Sequence, residues 1–392
     1  MIFANAPSYR SHATAPPTAP CGILPRDVAV FDVIVVGLGG MGAAAAAHAA
    51  SRGLRVLGLE QFQPGHVQGS SHGRSRVIRL AYFEHPDYVP LLRRAYQLWR
   101  KLESDSGRRL LQMTGGLMIG APDSEVVSGS LRSAREHGLD HELLDAAEIH
   151  RRFSPFTPRQ EIVAFYEREA GSLFPEEANR AHLAMAAGHG ADLQFDEPVE
   201  DWRVLASGAI EITTARARYQ CGRLILAPGA WAASLFKIDR LPLEVEPQML
   251  YWFEPAAGAA AFAPDRFPIY IWDLGGGVQF YGFPADDDRR VKVAFFRSPN
   301  TDEASMRASL APCLPALASG RIVDSVSCKY TLTPDHHFVI GLHPDHAQVV
   351  VASPCSGHGY KFASVIGEIL SDLATDGATR HPIGLFSPTR FL

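Results

Sequence analysis

A chain of 392 residues with 46% hydrophobic and 20% charged residues is long enough for two domains with substantial cores. Its net charge of −5 comes without a basic stripe, and no apolar run approaches a membrane span, so neither nucleic-acid binding nor membrane insertion is expected. The five cysteines (Cys21, Cys221, Cys313, Cys328, Cys355) are scattered and lack CxxC spacing, which argues against a disulfide framework or a zinc site and makes a reducing, cytoplasmic setting the expectation.

Residues 1–30 are rich in Pro, Ala, Ser and Thr and lack a basic segment followed by an apolar one, so they read as a flexible arm rather than a secretory signal. Phe31 to Val36 then forms an apolar, β-branched run suited to a buried strand, and Met41 to Ser51 is an Ala-rich stretch with no breaker, which predicts a helix. Between them lies Gly37-x-Gly39-x-x-Gly42. The first glycine permits a tight turn, the second lets the backbone approach a pyrophosphate, and the third lets helix and strand pack closely, with the diphosphate at the positive helix end. A second strand, Arg55 to Leu59, ends in Glu60, at the distance where a carboxylate takes ribose hydroxyls. An acid there disfavours a 2′-phosphate, so the candidate cofactors are NAD and FAD.

Further on, Gly69 to Arg79 is a Gly/Ser-bracketed loop holding His72, Arg74, Arg76 and Arg79. Arginine is the fork-shaped donor suited to carboxylate or phosphate, although such residues can equally be solvated surface charge. Tyr88 to Leu102 has apolar positions at helical spacing, as a helix packed on the core requires. Leu193 to Thr214 reads as short strands, and Arg223 to Ala227 as a buried strand returning to the cofactor domain. From about Leu241 to Arg297 aromatic residues alternate with polar ones, which predicts the antiparallel sheet of a second domain. Gln348 to Ala352 is a strand, followed by the turn Ser356 to Gly359 and a helix from about Lys361. The expected fold class is α/β: a Rossmann-like dinucleotide domain, discontinuous in sequence (residues 31–105, 170–240 and 325–392), with an antiparallel-sheet substrate domain (residues 106–169 and 241–324).

Two further positions are ambiguous on their own. Lys361 at a helix start is repelled by the helix dipole unless an anion compensates it, but a lysine there can also simply point into water. Cys328 reads as an ordinary small buried hydrophobe.

Taken in order, the N-terminal βαβ unit, the loop Gly69 to Tyr82, the Gly282-Phe283-Pro284 after Tyr281, Cys328 to Thr331, and Ser356 to Ser364 resemble the monomeric sarcosine oxidase and N-methyltryptophan oxidase family of flavin-dependent amine oxidases. The resemblance runs from about Phe31 to the C-terminus. It implies FAD as cofactor, linked through a thioether from Cys328, with Gly37, Gly39, Gly42, Glu60, Ser70, Arg76, Gly357, Gly359 and Lys361 around it. It also implies that Lys292 promotes reaction with O₂, that Arg79 and Lys361 clamp a substrate carboxylate, that Arg76 lies near the flavin ring, and that His72, Tyr281 and Tyr330 line the pocket.

The chain departs from the family where Phe296 replaces a common histidine, where Arg74 replaces Asp, and where Pro354-Cys355 replaces a Gly-aromatic pair; Ile271 or Trp272 falls where sarcosine oxidases place a methionine. The flavin chemistry is expected to survive these changes, while sarcosine itself is put in doubt. The implied activity is oxidation of a carboxylate-bearing secondary amine by hydride transfer to flavin, then O₂ reduction to H₂O₂ and imine hydrolysis to aldehyde and amine, by a monomer. Alternatives are oxidation of a cyclic imino acid such as pipecolate or proline, and a flavin dehydrogenase using an acceptor other than O₂. A non-catalytic dinucleotide module would leave Cys328, Lys292 and the carboxylate clamp unexplained, and an NAD-dependent dehydrogenase fits the first sixty residues only.

Overall fold

A computed structural model describes residues 29–392; most of the expected N-terminal arm, with Cys21, lies outside the described residues. Strand β1 (Ala29–Val36) runs parallel to β2 (Val56–Leu59) on one side and to the strand Arg218–Leu226 on the other, within an eight-stranded sheet. Asp192–Gln194 extends the sheet beyond β2. Arg218–Leu226 pairs antiparallel with Ile210–Thr214 through its first half and parallel with Val349–Ser353 through its last. Strands buried on both faces need helical cover, which explains the apolar runs Val33–Val36 of β1 and Val56–Leu59 of β2.

Helix α1 (Gly40–Ser51) supplies that cover, and its alanines show why it is apolar all round. It packs against both Ala363–Asp376 and Pro175–Gly188, so Ala43 to Ala47, Ala49 and Ala50 are all buried. A Cβ on Gly367 would run into the backbone of Ala44, so the two helices touch main chain to side-chain root. The expected α/β class and dinucleotide unit are therefore present, with element ends within a few residues of their sequence expectations.

A second eight-stranded sheet runs in the order Arg321–Leu332, Glu244–Glu254, Val291–Arg297, Gln279–Ala285, Ile269–Asp273, Gly116–Gly120, Val163–Glu167, Glu142–Asp145. It is antiparallel except where Ile269–Asp273 meets Gly116–Gly120 in parallel. That pair joins segments far apart in the chain, where no hairpin dictates direction, and so departs from the purely antiparallel expectation. The register places Cys328 opposite Gln248, Lys292 opposite Trp252, and Tyr281 opposite Ala294. Strand alternation puts Lys292 and Phe296 on one face of their strand, and Cys328 and Tyr330 on one face of theirs. A three-stranded sheet of Arg76–Ile78, Gly171–Leu173 and Leu111–Met113 carries Arg76 between the two large ones. No helix among the described residues is long and apolar enough to cross a membrane.

The Gly367 contact gives the first expected outcome. Gly367→Val overpacks the seam between α1 and the C-terminal helix and should lower stability by about 1–3 kcal/mol. A thermal melt that did not shift downward would show that the seam can open without loss.

Candidate active site

A single long cavity runs from Glu60 and Trp231, past Gly37, Gly39 and Ser70, to Tyr281 and Phe296. Its first half is built by the β1–α1 turn. Gly37 has φ of 86° and faces the carbonyl of Ala227, so a side chain is excluded twice over. Gly42 lies behind the wall, where a Cβ would strike the Gly37 carbonyl, which is the close strand–helix packing the motif requires. Gly39 caps α1 with no side-chain hydrogen bond, leaving N–H groups of the first turn to an incoming anion. Glu60 accepts from Leu38 N at 2.8 Å and Phe62 N at 3.1 Å, which aims the carboxylate into the cavity with lone pairs to spare. Asn179 donates to the Leu38 carbonyl at 3.2 Å, while its buried Oδ1 has no partner among the described residues. A helix N-terminus whose own N-cap residue offers no side chain, an aimed acid and an orphaned amide oxygen fit a dinucleotide.

The loop after β2 ties this half to the second sheet. Ser71 Oγ accepts from Gly40 N at 3.0 Å, and Ser70 Oγ donates to the Lys329 carbonyl at 2.7 Å. Arg76 donates to the carbonyls of Ser75 and Ser70 at 2.8 Å each and of His72 at 2.5 Å, and reaches Cys328 Sγ at 3.8 Å. Ser70, Arg76 and Cys328 thus meet at the middle of the cavity.

At the far end Arg79 and Lys361 both lie against the ring of Tyr82, with the guanidinium carbon 4.2 Å and the ammonium 5.1 Å from its centroid. Both side chains are buried. Arg79 donates to Glu84 at 2.6 Å and to the Ala81 carbonyl at 2.7 Å, and its Nε has no partner among the described residues. Lys361 donates to the His358 carbonyl at 2.7 Å and to Tyr82 Oη at 3.4 Å. Burial, followed by the nearby Arg79, pulls the Lys361 amine down to about 7. Its residue stands in a 3₁₀ turn, Tyr360–Phe362, and the helix proper starts only at Ala363. The expected conflict with the helix dipole is therefore eased by local carbonyl contact.

His358 completes this cluster. Its Nε2 faces the His336 carbonyl at 3.0 Å, an acceptor only, so the proton sits there and Nδ1 accepts from Tyr82 Oη at 2.6 Å. Burial holds the ring neutral, with its pKa down at about 3. Across the cavity Tyr281, Tyr330, Phe296 and Ile271 form the wall. Gly357, at φ of 83°, leaves room for Tyr330 and Phe296, whose rings a Cβ would crowd at 2.9 Å and 3.2 Å. A Cβ on Gly359 would collide with the Pro354 carbonyl. Phe296 stands edge-on to Phe83 and His358. Burial, then Tyr281, keeps the Tyr330 hydroxyl well above its usual range.

Lys292 and His72 lie one layer behind this wall. Lys292 is 2% exposed and donates to the carbonyls of Gly73 and Ser75 at 2.7 Å each, between the rings of Trp252 and Phe283. His72 is buried, with Nε2 unpaired among the described residues, and burial, then Arg76, pulls it to about 4. Of the other sequence-derived site positions, Gly37, Gly39, Glu60, Ser70, Arg76, Arg79, Tyr281, Phe296, Cys328, Tyr330, Gly357, Gly359 and Lys361 line the cavity directly, and Gly42 stands behind its wall. Sequence reading missed Tyr82, Glu84, His358, Asn179 and Glu176. Glu84 and Tyr82 stood beside the arginine-rich loop, but neither sits at a spacing that signals its partner.

The family model for FAD dependent oxidoreductases matches residues 32–373. This chain belongs to that family. It is 48% identical to a monomeric sarcosine oxidase of Streptomyces avermitilis, over 92% of this chain and 97% of that protein. To an N-methyl-L-tryptophan oxidase of Salmonella heidelberg it is 31% identical, over 92% and 99%. A solved structure of a NikD variant, described as an unusual amino acid oxidase essential for nikkomycin biosynthesis, superposes with a TM-score of 0.81 at 25% identity, over 92% of this chain and 98% of that one. The resemblance to the sarcosine and N-methyltryptophan oxidases is borne out. The protein is an FAD-dependent oxidoreductase.

The Arg79–Glu84 pair competes with any carboxylate ligand for the same guanidinium. Glu84→Gln should tighten binding of a small aliphatic carboxylate, followed by titration, while lowering stability by up to about 3–5 kcal/mol as a buried pair is broken. Unchanged or weaker binding in folded variant would show that Glu84 does not compete.

Proposed function

We infer that this flavoprotein oxidises a secondary amine bearing a carboxylate, an N-methyl or N-alkyl amino acid, with O₂ as acceptor and as a monomer. The observation that carries the reading is the buried Arg79–Lys361 pair flanking Tyr82 at the aromatic end of the FAD cavity. Bound FAD would supply hydride acceptance and transfer of the electrons to O₂, giving H₂O₂. Gly37, Gly39, Glu60 and Asn179 would hold its dinucleotide half, and Ser70, Arg76, Gly357 and Gly359 its ring end.

The remaining work falls to side chains. Arg79 and Lys361 would hold the carboxylate, and fixing it places the amine between Tyr281, Tyr330 and Phe296. Positioning of this kind can remove roughly 7–11 kcal/mol of barrier in good cases. The amine must lose its proton before reaction, and a partly desolvated aromatic pocket favours the neutral amine. The same ring faces then receive the cationic imine that results. Water hydrolyses the released imine to aldehyde and dealkylated amine. Lys292 would assist the oxygen reaction from behind the wall, and His72 would offer its main-chain carbonyl to the Arg76 guanidinium. Cys328 would form a thioether to the flavin, a reading supported by its place on the cavity wall beside Arg76.

Phe296 and Ile271 give the wall an apolar character, which favours a second reading, a bulkier N-alkyl or cyclic imino acid. Comparative turnover of sarcosine, longer N-methyl amino acids, pipecolate and proline ranks these.

Acid precipitation of purified enzyme should leave yellow flavin in the pellet, on the peptide containing Cys328, and Cys328→Ser should release the colour to the supernatant. Flavin released from the unaltered enzyme would overturn the thioether.

Substrate-site charge gives a pH dependence of definite sign. Lys361 has its pKa lowered to about 7, so it is protonated below that value and neutral above. Binding of a carboxylate lacking an amine should be tight below pH 7 and weaken by up to about tenfold per unit above it. Lys361→Met should remove the slope; a slope that persists would place the titrating group elsewhere.

A further inference from the structure

The loop that holds Lys292 has an unusual shape. Gly73 and Arg74 carry consecutive left-handed backbones, with φ of 99° and 67°. Arginine gains nothing from that conformation, and a non-glycine residue held there is strained by about 1–3 kcal/mol. The N–H groups of these two successive residues converge on one point. Glu176 Oε1 stands at that point and accepts from Gly73 N at 2.8 Å and Arg74 N at 3.0 Å. The opposite side of the loop presents the carbonyls of Gly73 and Ser75, and these take the Lys292 ammonium.

Helix chemistry accounts for an acid at this position but not for its aim. Glu176 follows Pro175 in the first turn of Pro175–Gly188, where a carboxylate suits the helix dipole from any rotamer. Here it is turned inward onto the loop and lines the cavity wall. Around Lys292 the charged and titratable neighbours are Arg76, Arg74, His72, Cys328 and Glu176. Glu176 is the carboxylate among them, set against the cations Arg74, Arg76 and Lys292. Burial, then Arg76, pushes the Lys292 amine well below its usual value, and Glu176 opposes that. Arg74 holds the loop from outside through Asp324 at 2.9 Å and Asp286 at 3.4 Å, over the ring of Trp252.

We propose that Glu176 is the positioning residue of the oxygen reaction: by clamping the Gly73–Arg74 peptide it fixes the two carbonyls that hold Lys292 behind the cavity wall. It acts through the backbone and Lys292. The proposal rests on the oxidase reading above for its consequence, but not for its geometry.

The test compares Glu176→Gln, which keeps an oxygen for both N–H groups, with Glu176→Ala, which keeps none, in the FAD-loaded enzyme. Anaerobic reduction by amine and reoxidation by O₂ are followed separately by stopped flow, and crystal structures report the Lys292 Nζ contacts. The alanine variant should reoxidise on the order of tenfold to a hundredfold more slowly, with Lys292 displaced from the Gly73 and Ser75 carbonyls. Its reduction by amine should change far less, and the glutamine variant should restore most of the reoxidation rate. In a Lys292→Met background Glu176→Ala should have no further effect, since the two changes remove one interaction. Unimpaired reoxidation of the alanine variant, where Lys292→Met is slow, would overturn the proposal. Should Lys292→Met itself reoxidise at full rate, the oxygen role of Lys292 fails instead, and the crystal structure alone decides whether Glu176 positions it: Lys292 in place without Glu176 overturns the clamp, Lys292 displaced supports it.

Discussion

Cations gathered out of water around one cavity set the terms for the rest of this structure. Arg79, Lys361 and Lys292 are 1%, 5% and 2% exposed, and half-buried Arg76 stands among them. An ion removed from water costs several kcal/mol unless its protons find acceptors and its charge a counterpart. Carboxylates serve only part of this need, at Glu84 and Glu176; the rest comes from carbonyls of Ser70, His72, Gly73, Ser75, Ala81 and His358. Carbonyls absorb protons without cancelling charge. The site therefore keeps a positive field, useful toward an anionic substrate and a cofactor that gains electrons, at the expense of a loop bent into unfavourable backbone. The left-handed turn at Gly73 and Arg74 follows from that requirement, since a chain that must wrap its carbonyls inward around a guanidinium needs sharp turns.

The dinucleotide half was legible in the sequence because its constraints are local. Gly37, Gly39 and Gly42 announce a shape that other residues cannot take, and Glu60 ends a strand whose partner is the neighbouring strand in the same unit. The second sheet was legible in kind, through aromatic alternation, but the parallel contact of Ile269–Asp273 with Gly116–Gly120 was not. Alternation reports which face a side chain takes and says nothing about which distant strand lies alongside.

Within the site the limit lies in depth and pairing. Period-two spacing puts Lys292 and Phe296 on one face, yet Phe296 reaches the cavity while Lys292 stops a layer behind, because the Gly73–Ser75 loop lies between it and the opening. Nothing near Lys292 in sequence signals that loop. Arg79 read as a carboxylate ligand, and the carboxylate it holds in the structure is that of Glu84, five residues on along an irregular segment. Lys361 read as the first turn of a helix, whereas the 3₁₀ turn ahead of Ala363 swings its ammonium onto Tyr82 and the His358 carbonyl.

Phe296 shows how a single replacement redistributes these constraints. A histidine at that place would bring another titratable group beside His358 and Lys361, both already pulled down by burial. A phenyl ring brings no proton demand, packs edge-on against Phe83 and His358, and leaves the neutral His358–Tyr82 pair as the polar partner of Lys361. The Arg79–Lys361 end thus stays polar while the opposite wall becomes apolar, so that on the proposed reading recognition would divide between a cationic anchor and an apolar wall. An apolar wall discriminates by only about 1–3 kcal/mol per methylene, whereas an unanswered buried cation is penalised far more strongly. On that reading the anchor would decide which class of molecule binds, and the wall would grade members within the class.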